Sequence, residues 1–133
     1  MSHFVIGDVQ GCYEQLNELL SIIDFSPTKD HIIFAGDMVN RGNDSLKVLD
    51  FCLSNPNSVS AVLGNHDLYL MHLIESKGSD NCLQQILECD QLNSIYSWLK
   101  SCPLMKSISI DESKEIFHIT HAGIPPIWTF DEA

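Results

Sequence analysis

Apolar positions in the first half of the chain come in short continuous runs, and each run stops at a glycine. Phe4-Val5-Ile6 leads into Gly7, His31-Ile32-Ile33-Phe34-Ala35 into Gly36, and Val59-Ser60-Ala61-Val62-Leu63 into Gly64. Runs this short and continuous predict buried strands. Between them the apolar positions change to helical spacing. Tyr13, Leu16, Leu19, Leu20 and Ile23 line one face of a helix over roughly residues 12–23, ended by Phe25-Ser26-Pro27. Leu46, Leu49 and Leu53 mark a second helix, with Asn43 or Asp44 as its N-cap and Asn55-Pro56-Asn57 as its breaker. Residues 4–67 therefore read β-α-β-α-β, with right-handed crossovers.

Leu68, Met71, His72 and Glu75 continue as a third helix, which Lys77-Gly78-Ser79-Asp80 interrupts. Residues 82–89 and 91–101 read as two short helices, and the stripe Leu92, Ile95, Tyr96, Leu99 of the second belongs to a core. Beyond Pro103 the period drops to two over 106–110 and again over 115–120, which predicts a β-hairpin turning at 111–114. Thr129-x-x-Glu132 is a capping-box pattern that announces a helix, yet only Ala133 follows it. The chain thus reads as a fragment of something longer.

Just beyond each glycine stands an oxygen ligand: Asp8, Asp37 and Asn65. In an open parallel sheet the strand ends line one edge, where ligands bind, so the three loops are expected to converge. His121 joins them, because His121-Ala122-Gly123 closes the second hairpin strand in the same manner. Two carboxylates, an amide oxygen and an imidazole suit manganese, iron, cobalt or zinc better than calcium. Asp37 is central and has two oxygens, so it suits a bridge between two ions about 3.5–4 Å apart. Such a pair makes a nucleophile available at neutral pH and polarises phosphoryl oxygens. His66 is placed to protonate a leaving oxygen, and Arg41 to neutralise a phosphate oxygen. Asp67 either caps the following helix or orients His66, and both readings stay open.

Length and charge narrow the field. The 133 residues make one domain, and a net charge of -11 with a pI near 4.6 excludes nucleic-acid or anionic-membrane binding through a general basic surface. Five cysteines are dispersed without a C-x-x-C pair, which argues for a reducing compartment and against a disulfide frame or zinc-thiolate knot. Cys12 is expected to be a packed thiol at a helix start. The N-terminus does not read as a signal peptide, no apolar run approaches a membrane span, and the expectation is cytoplasmic. No Gly-rich phosphate fingerprint of the P-loop or Rossmann kind is present.

Taken in order, Gly7-Asp8-Val9-Gln10-Gly11, Gly36-Asp37-Met38-Val39-Asn40-Arg41-Gly42, Gly64-Asn65-His66-Asp67 and His121-Ala122-Gly123 resemble the successive motifs of the calcineurin-like metallophosphoesterases. The stretches around them are similar to the branch of that family acting on dinucleoside tetraphosphates. The resemblance implies an α/β fold: a β-α-β-α-β half plus a β-hairpin of the family's layered sandwich, truncated, with residues 1–133 as the N-terminal part of a single metallophosphoesterase domain. It implies Asp8 as a ligand of the first metal, Asp37 as the bridge, Asn65 and His121 on the second metal, His66 as general acid and Arg41 on phosphate. The cofactors would be two divalent ions, manganese or cobalt first, with iron, zinc, magnesium or nickel as alternatives. The reaction would be hydrolysis of diadenosine tetraphosphate (Ap4A) to two ADP.

Two departures stand out. Gln10 occupies the position of a family histidine, and its harder, weaker oxygen donor implies reduced occupancy of the first ion. The chain is about half the family's length, so a later metal-binding histidine and a second sheet are missing, which leaves an apolar face open. Two competing readings follow. A protein Ser/Thr phosphatase of the same superfamily is disfavoured by Asn40, which stands where those enzymes carry an aspartate facing the histidine. A catalytically silent fragment that binds a nucleotide or a partner is favoured by Gln10.

Overall fold

In the computed structural model, which describes residues 2–110 and 115–133, the three apolar runs lie side by side as parallel strands. They are β1 (Ser2–Ile6), β2 (Asp30–Phe34) and β3 (Val59–Ala61), in the order β1-β2-β3. Val5 is in register with Ile33, and Phe34 with Ala61. The crossovers are α1 (Tyr13–Ile22) and α2 (Ser45–Ser54), and α3 (Asn65–Ser76), α4 (Gln84–Leu87) and α5 (Leu92–Ser101) follow the third strand. β4 (Met105–Ile110) and β5 (Glu115–Thr120) then pair antiparallel, Met105 opposite Thr120. The turn expected at 111–114 lies outside the described residues.

Period-two alternation in β2 sorts the core onto two faces. Ile32 and Phe34 point to the helical side, where Leu16, Val48, Leu49, Leu70, Ile95 and Leu99 enclose them. Ile33 points the other way and packs with Val62 and Ile119 of β5. That second contact positions the site, because it carries the end of the hairpin across to the edge where β1, β2 and β3 finish. Other apolar side chains of β1 and the hairpin stay open: Val5 is 52% exposed and Ile116 62%.

Some boundaries differ from the periodicity. α3 begins at Asn65 rather than near Leu68, so Asn65, His66 and Asp67 form its first turn. Asp44 precedes α2 as its N-cap residue, but its carboxylate pairs with Lys47 at 2.9 Å instead of capping. Glu132 does accept the Thr129 N–H at 2.7 Å, while the residues around it form a turn. Among the described residues no helix is long and apolar enough to cross a membrane.

All five cysteines are free, and Cys12 is exposed rather than packed as expected, because α1 turns its buried face through Leu16. Burial pushes the Cys52 thiol up, and pushes Cys102 up to about 12, with the nearby Asp67 carboxylate adding to both. Alkylation by iodoacetamide at neutral pH, read by peptide mass spectrometry, is therefore expected to label Cys12 and Cys82 in the native protein, and Cys52 and Cys102 only after unfolding. Labelling of Cys52 as fast as Cys12 would contradict this packing.

Candidate metal centre

Each of the three parallel strands ends in a turn that aims one oxygen ligand at a common point. The first two turns are zipped together by their backbones. The Gln10 N–H donates to the Asp37 carbonyl at 2.9 Å, Gly11 N–H to Met38 at 3.0 Å, and Gly42 N–H to Gln10 at 2.8 Å. Drawing the chain this tight forces left-handed backbone on non-glycine residues: φ is 47° at Gln10, 54° at Asp37, 77° at Asn40 and 64° at Arg41. Strain of this kind costs of order 1–3 kcal/mol per residue and persists only where the surroundings over-determine it.

Glycine is required at two close approaches. A Cβ on Gly36, itself left-handed, would stand 2.7 Å from His121 Nδ1, and one on Gly64 would run into the Asp37 carboxylate. These two positions let the second loop, the third loop and the end of β5 touch.

Asp67 fastens the second loop to the third. It is 0% exposed, and its carboxylate accepts N–H groups from Asp37 at 2.7 Å, Gly64 at 2.9 Å and Met38 at 2.9 Å. Desolvation raises its pKa, against the lowering effect of those hydrogen bonds. The bond to Gly64 caps the following helix, and the carboxylate also reaches across to the second loop. No described hydrogen bond joins it to His66. The signal for the cap was the spacing Gly64-x-x-Asp67; nothing in the spacing pointed to Met38 or Asp37.

Asp37, Asn65 and His121 meet. Asp37 is 3% exposed, and its Oδ1 accepts the His66 N–H at 2.9 Å. Its Oδ2 lies 3.4 Å from His121 Nε2, which is 3.2 Å from Asn65 Oδ1. His121 Nδ1 is 3.0 Å from the Ala35 carbonyl, and the tautomer that gives its Nδ1 proton to that carbonyl turns the Nε2 lone pair to Asp37 and Asn65, as a metal ligand would. In that tautomer Asp37 Oδ2, Asn65 Oδ1 and His121 Nε2 face one another as three electron-pair donors. Ligands about 2.1 Å from a divalent ion stand about 3.0–3.4 Å apart, the spacing found here. A histidine whose second nitrogen donates to a backbone carbonyl is also the usual support of a metal ligand. The residues fit a divalent cation.

Asp8 belongs to the same group: one ligand atom each from Asp8, Asp37 and His121 falls within 4.8 Å. Gln10 is brought to the edge by its backbone bonds, and its side-chain amide makes no hydrogen bond among the described residues. His66 stands over the centre, with Nε2 at 3.9 Å from Asp37 Oδ2 and Nδ1 at 3.0 Å from Asn40 Nδ2. Arg41 is exposed, and its guanidinium makes no ion pair among the described residues. Beside the centre lies a cleft of about 360 Å³, lined by Asn65 and His121 together with the apolar Leu68, Leu104, Ile124 and Trp128. The Asn40 contact falls where the resemblance sets an aspartate facing the histidine, whereas the Ala35 carbonyl was not legible in the spacing of motifs.

A family model described as calcineurin-like phosphoesterase matches residues 1–133. The symmetrical bis(5'-nucleosyl)-tetraphosphatase of Shewanella sp. strain W3-18-1 is 42% identical over 135 aligned positions, covering 98% of this chain and 47% of that protein. The chain spans about half the length of the curated relatives it matches. A crystal structure of a protein assigned as a diadenosine tetraphosphatase superimposes with a TM-score of 0.76 at 27% identity, over 97% of this chain and 53% of that one. A yeast protein serine/threonine phosphatase with similarity to human phosphatase PP5 matches in fold, with a TM-score of 0.57 at 19% identity, over 77% of this chain and 33% of its own.

Asp67→Asn tests the fastening. The amide cannot accept from both sides, so one of the three N–H donors loses its partner, and urea denaturation is expected to show a loss of about 1–3 kcal/mol. Unchanged stability would mean that the loops are held together elsewhere.

Proposed function

The chain belongs to the calcineurin-like phosphoesterase family, and from that premise we propose that it is the N-terminal part of a single metallophosphoesterase domain that hydrolyses Ap4A to two ADP. The observation that carries the chemistry is the meeting of Asp37 Oδ2, Asn65 Oδ1 and His121 Nε2 at 3.2–3.4 Å beneath His66. The substrate is inferred from the name of the 42% identical relative.

Asp8, Asp37, Asn65 and His121 would hold two divalent cations, with Gln10 as a weaker contributor and Asp37 shared between them. Manganese or cobalt is our first choice. When bound, such ions neutralise charge on phosphoryl oxygens and lower the pKa of water, so that a nucleophile exists at neutral pH. The chain's own groups supply the rest. Asp37, its Oδ1 fixed by the His66 N–H, keeps the other oxygen aimed at the centre. The proton on His66 Nε2 goes to the oxygen that bridges the two middle phosphorus atoms as its bond to the attacked phosphorus breaks, releasing one ADP while water becomes part of the other. Arg41, exposed and without an ion pair among the described residues, binds a non-bridging phosphate oxygen through its planar fork. A cytoplasmic setting suits five free cysteines.

A second reading, nucleotide binding without turnover, is favoured by the single oxygen donor at Gln10. Anion-exchange analysis of Ap4A incubated with the chain and manganese separates the two: ADP as sole product is expected, AMP plus ATP would refute symmetrical cleavage, and binding without product would select the silent reading. His66→Ala is expected to lower kcat by about 10²–10⁴-fold, the contribution of a positioned general acid. Gln10→His is expected to raise both the metal stoichiometry, read by elemental analysis, and the rate; no change in either would remove Gln10 as the weak point.

A further inference from the structure

Asn40 is held on three sides. Its backbone N–H donates to Ser45 Oγ at 2.9 Å, where Ser45 is 2% exposed at the start of α2. Its side-chain Oδ1 accepts the Arg41 N–H at 2.9 Å. A carbonyl oxygen engaged in that way leaves the NH2 end of the amide pointing away from Arg41, and this end lies 3.0 Å from His66 Nδ1. An amide nitrogen only donates, so the ring nitrogen facing it must present a lone pair. In the neutral imidazole the remaining proton then sits on Nε2, the nitrogen 3.9 Å from Asp37 Oδ2 and turned toward the centre.

We propose that Asn40 is a positioning residue that locks His66 in the Nε2–H tautomer, so that the neutral ring offers its proton to the leaving oxygen. The catalytic use of that proton rests on the phosphohydrolase reading above, but the tautomer does not. An aspartate at the same place would have the opposite effect: a carboxylate accepts, and would draw the ring proton to Nδ1. The choice between amide and carboxylate at residue 40 therefore decides which nitrogen of an otherwise unchanged histidine is the donor. The left-handed backbone at Asn40, φ 77°, favours asparagine and aspartate over most other residues, so the exchange is conformationally mild.

The test is long-range 1H–15N NMR of the histidine rings in the 15N-labelled chain, at a pH where the rings are neutral, without metal and again with magnesium. His66 is assigned by its loss in His66→Ala. The expected pattern is Nε2–H for wild type, Nδ1–H for Asn40→Asp, and a mixture of the two for Asn40→Ala, with backbone amide spectra otherwise preserved. Wild-type His66 in the Nδ1–H form overturns the proposal by itself, whether or not either variant folds. An Asn40→Asp ring that keeps the wild-type pattern also overturns it. Because no substrate is present, a failure here leaves the Ap4A assay unaffected, and a failed Ap4A assay leaves the tautomer standing.

Discussion

Three backbone N–H groups converge on the Asp67 carboxylate, and most of the site follows from that contact. Hydrogen bonds to a charged group contribute about 1.5–3 kcal/mol each, whereas a buried carboxylate without them would be strongly destabilising. Asp67 is therefore tolerated at 0% exposure only while Asp37, Met38 and Gly64 stay where they are. Two of those donors lie in the second loop and one in the third. The third donor, Gly64, precedes α3, so the carboxylate caps a helix and joins two loops at once. Charge, loop position and helix start are one coupled arrangement.

What this coupling maintains is backbone in unfavourable regions. Gln10, Asp37, Asn40 and Arg41 all have positive φ, and all lie in the two loops that the Gln10, Gly11 and Gly42 hydrogen bonds zip together. The surrounding structure holds these loops with packed parts: a parallel sheet whose central strand buries Ile32, Ile33 and Phe34, and the Ile33–Val62–Ile119 contact that pins the end of the hairpin. Stable elements hold strained turns in place, and the strained turns hold the ligands.

The site is also arranged by polarity at the level of single atoms. The Ala35 carbonyl beside Nδ1 suits the His121 tautomer that turns a lone pair toward Asp37 and Asn65, as a ligand would. Facing the Asn40 amide, His66 does the reverse and keeps its proton on the side of the centre, which suits a donor. Two histidines a few ångströms from the same carboxylate oxygen acquire different roles, and neither difference comes from the imidazole. It comes from one carbonyl and one amide on the far sides of the rings.

The sequence by itself determined the strand and helix order, the parallel sense of the first three strands and the presence of Asp8, Asp37, Asn65 and His121 at strand ends. Those features depend on local periodicity and on glycine, and so they are written into a few consecutive residues. Tertiary structure alone decided that Asp67 reaches Met38 and Asp37, that α3 begins early enough to place Asn65 on its first turn, and that Cys12 faces outward. Each of these depends on a distance between residues that are remote in the chain or on which way a side chain turns, and neither quantity has a periodic signal. An Asp three residues after a glycine promises a cap; only the packed loops supply its other partners.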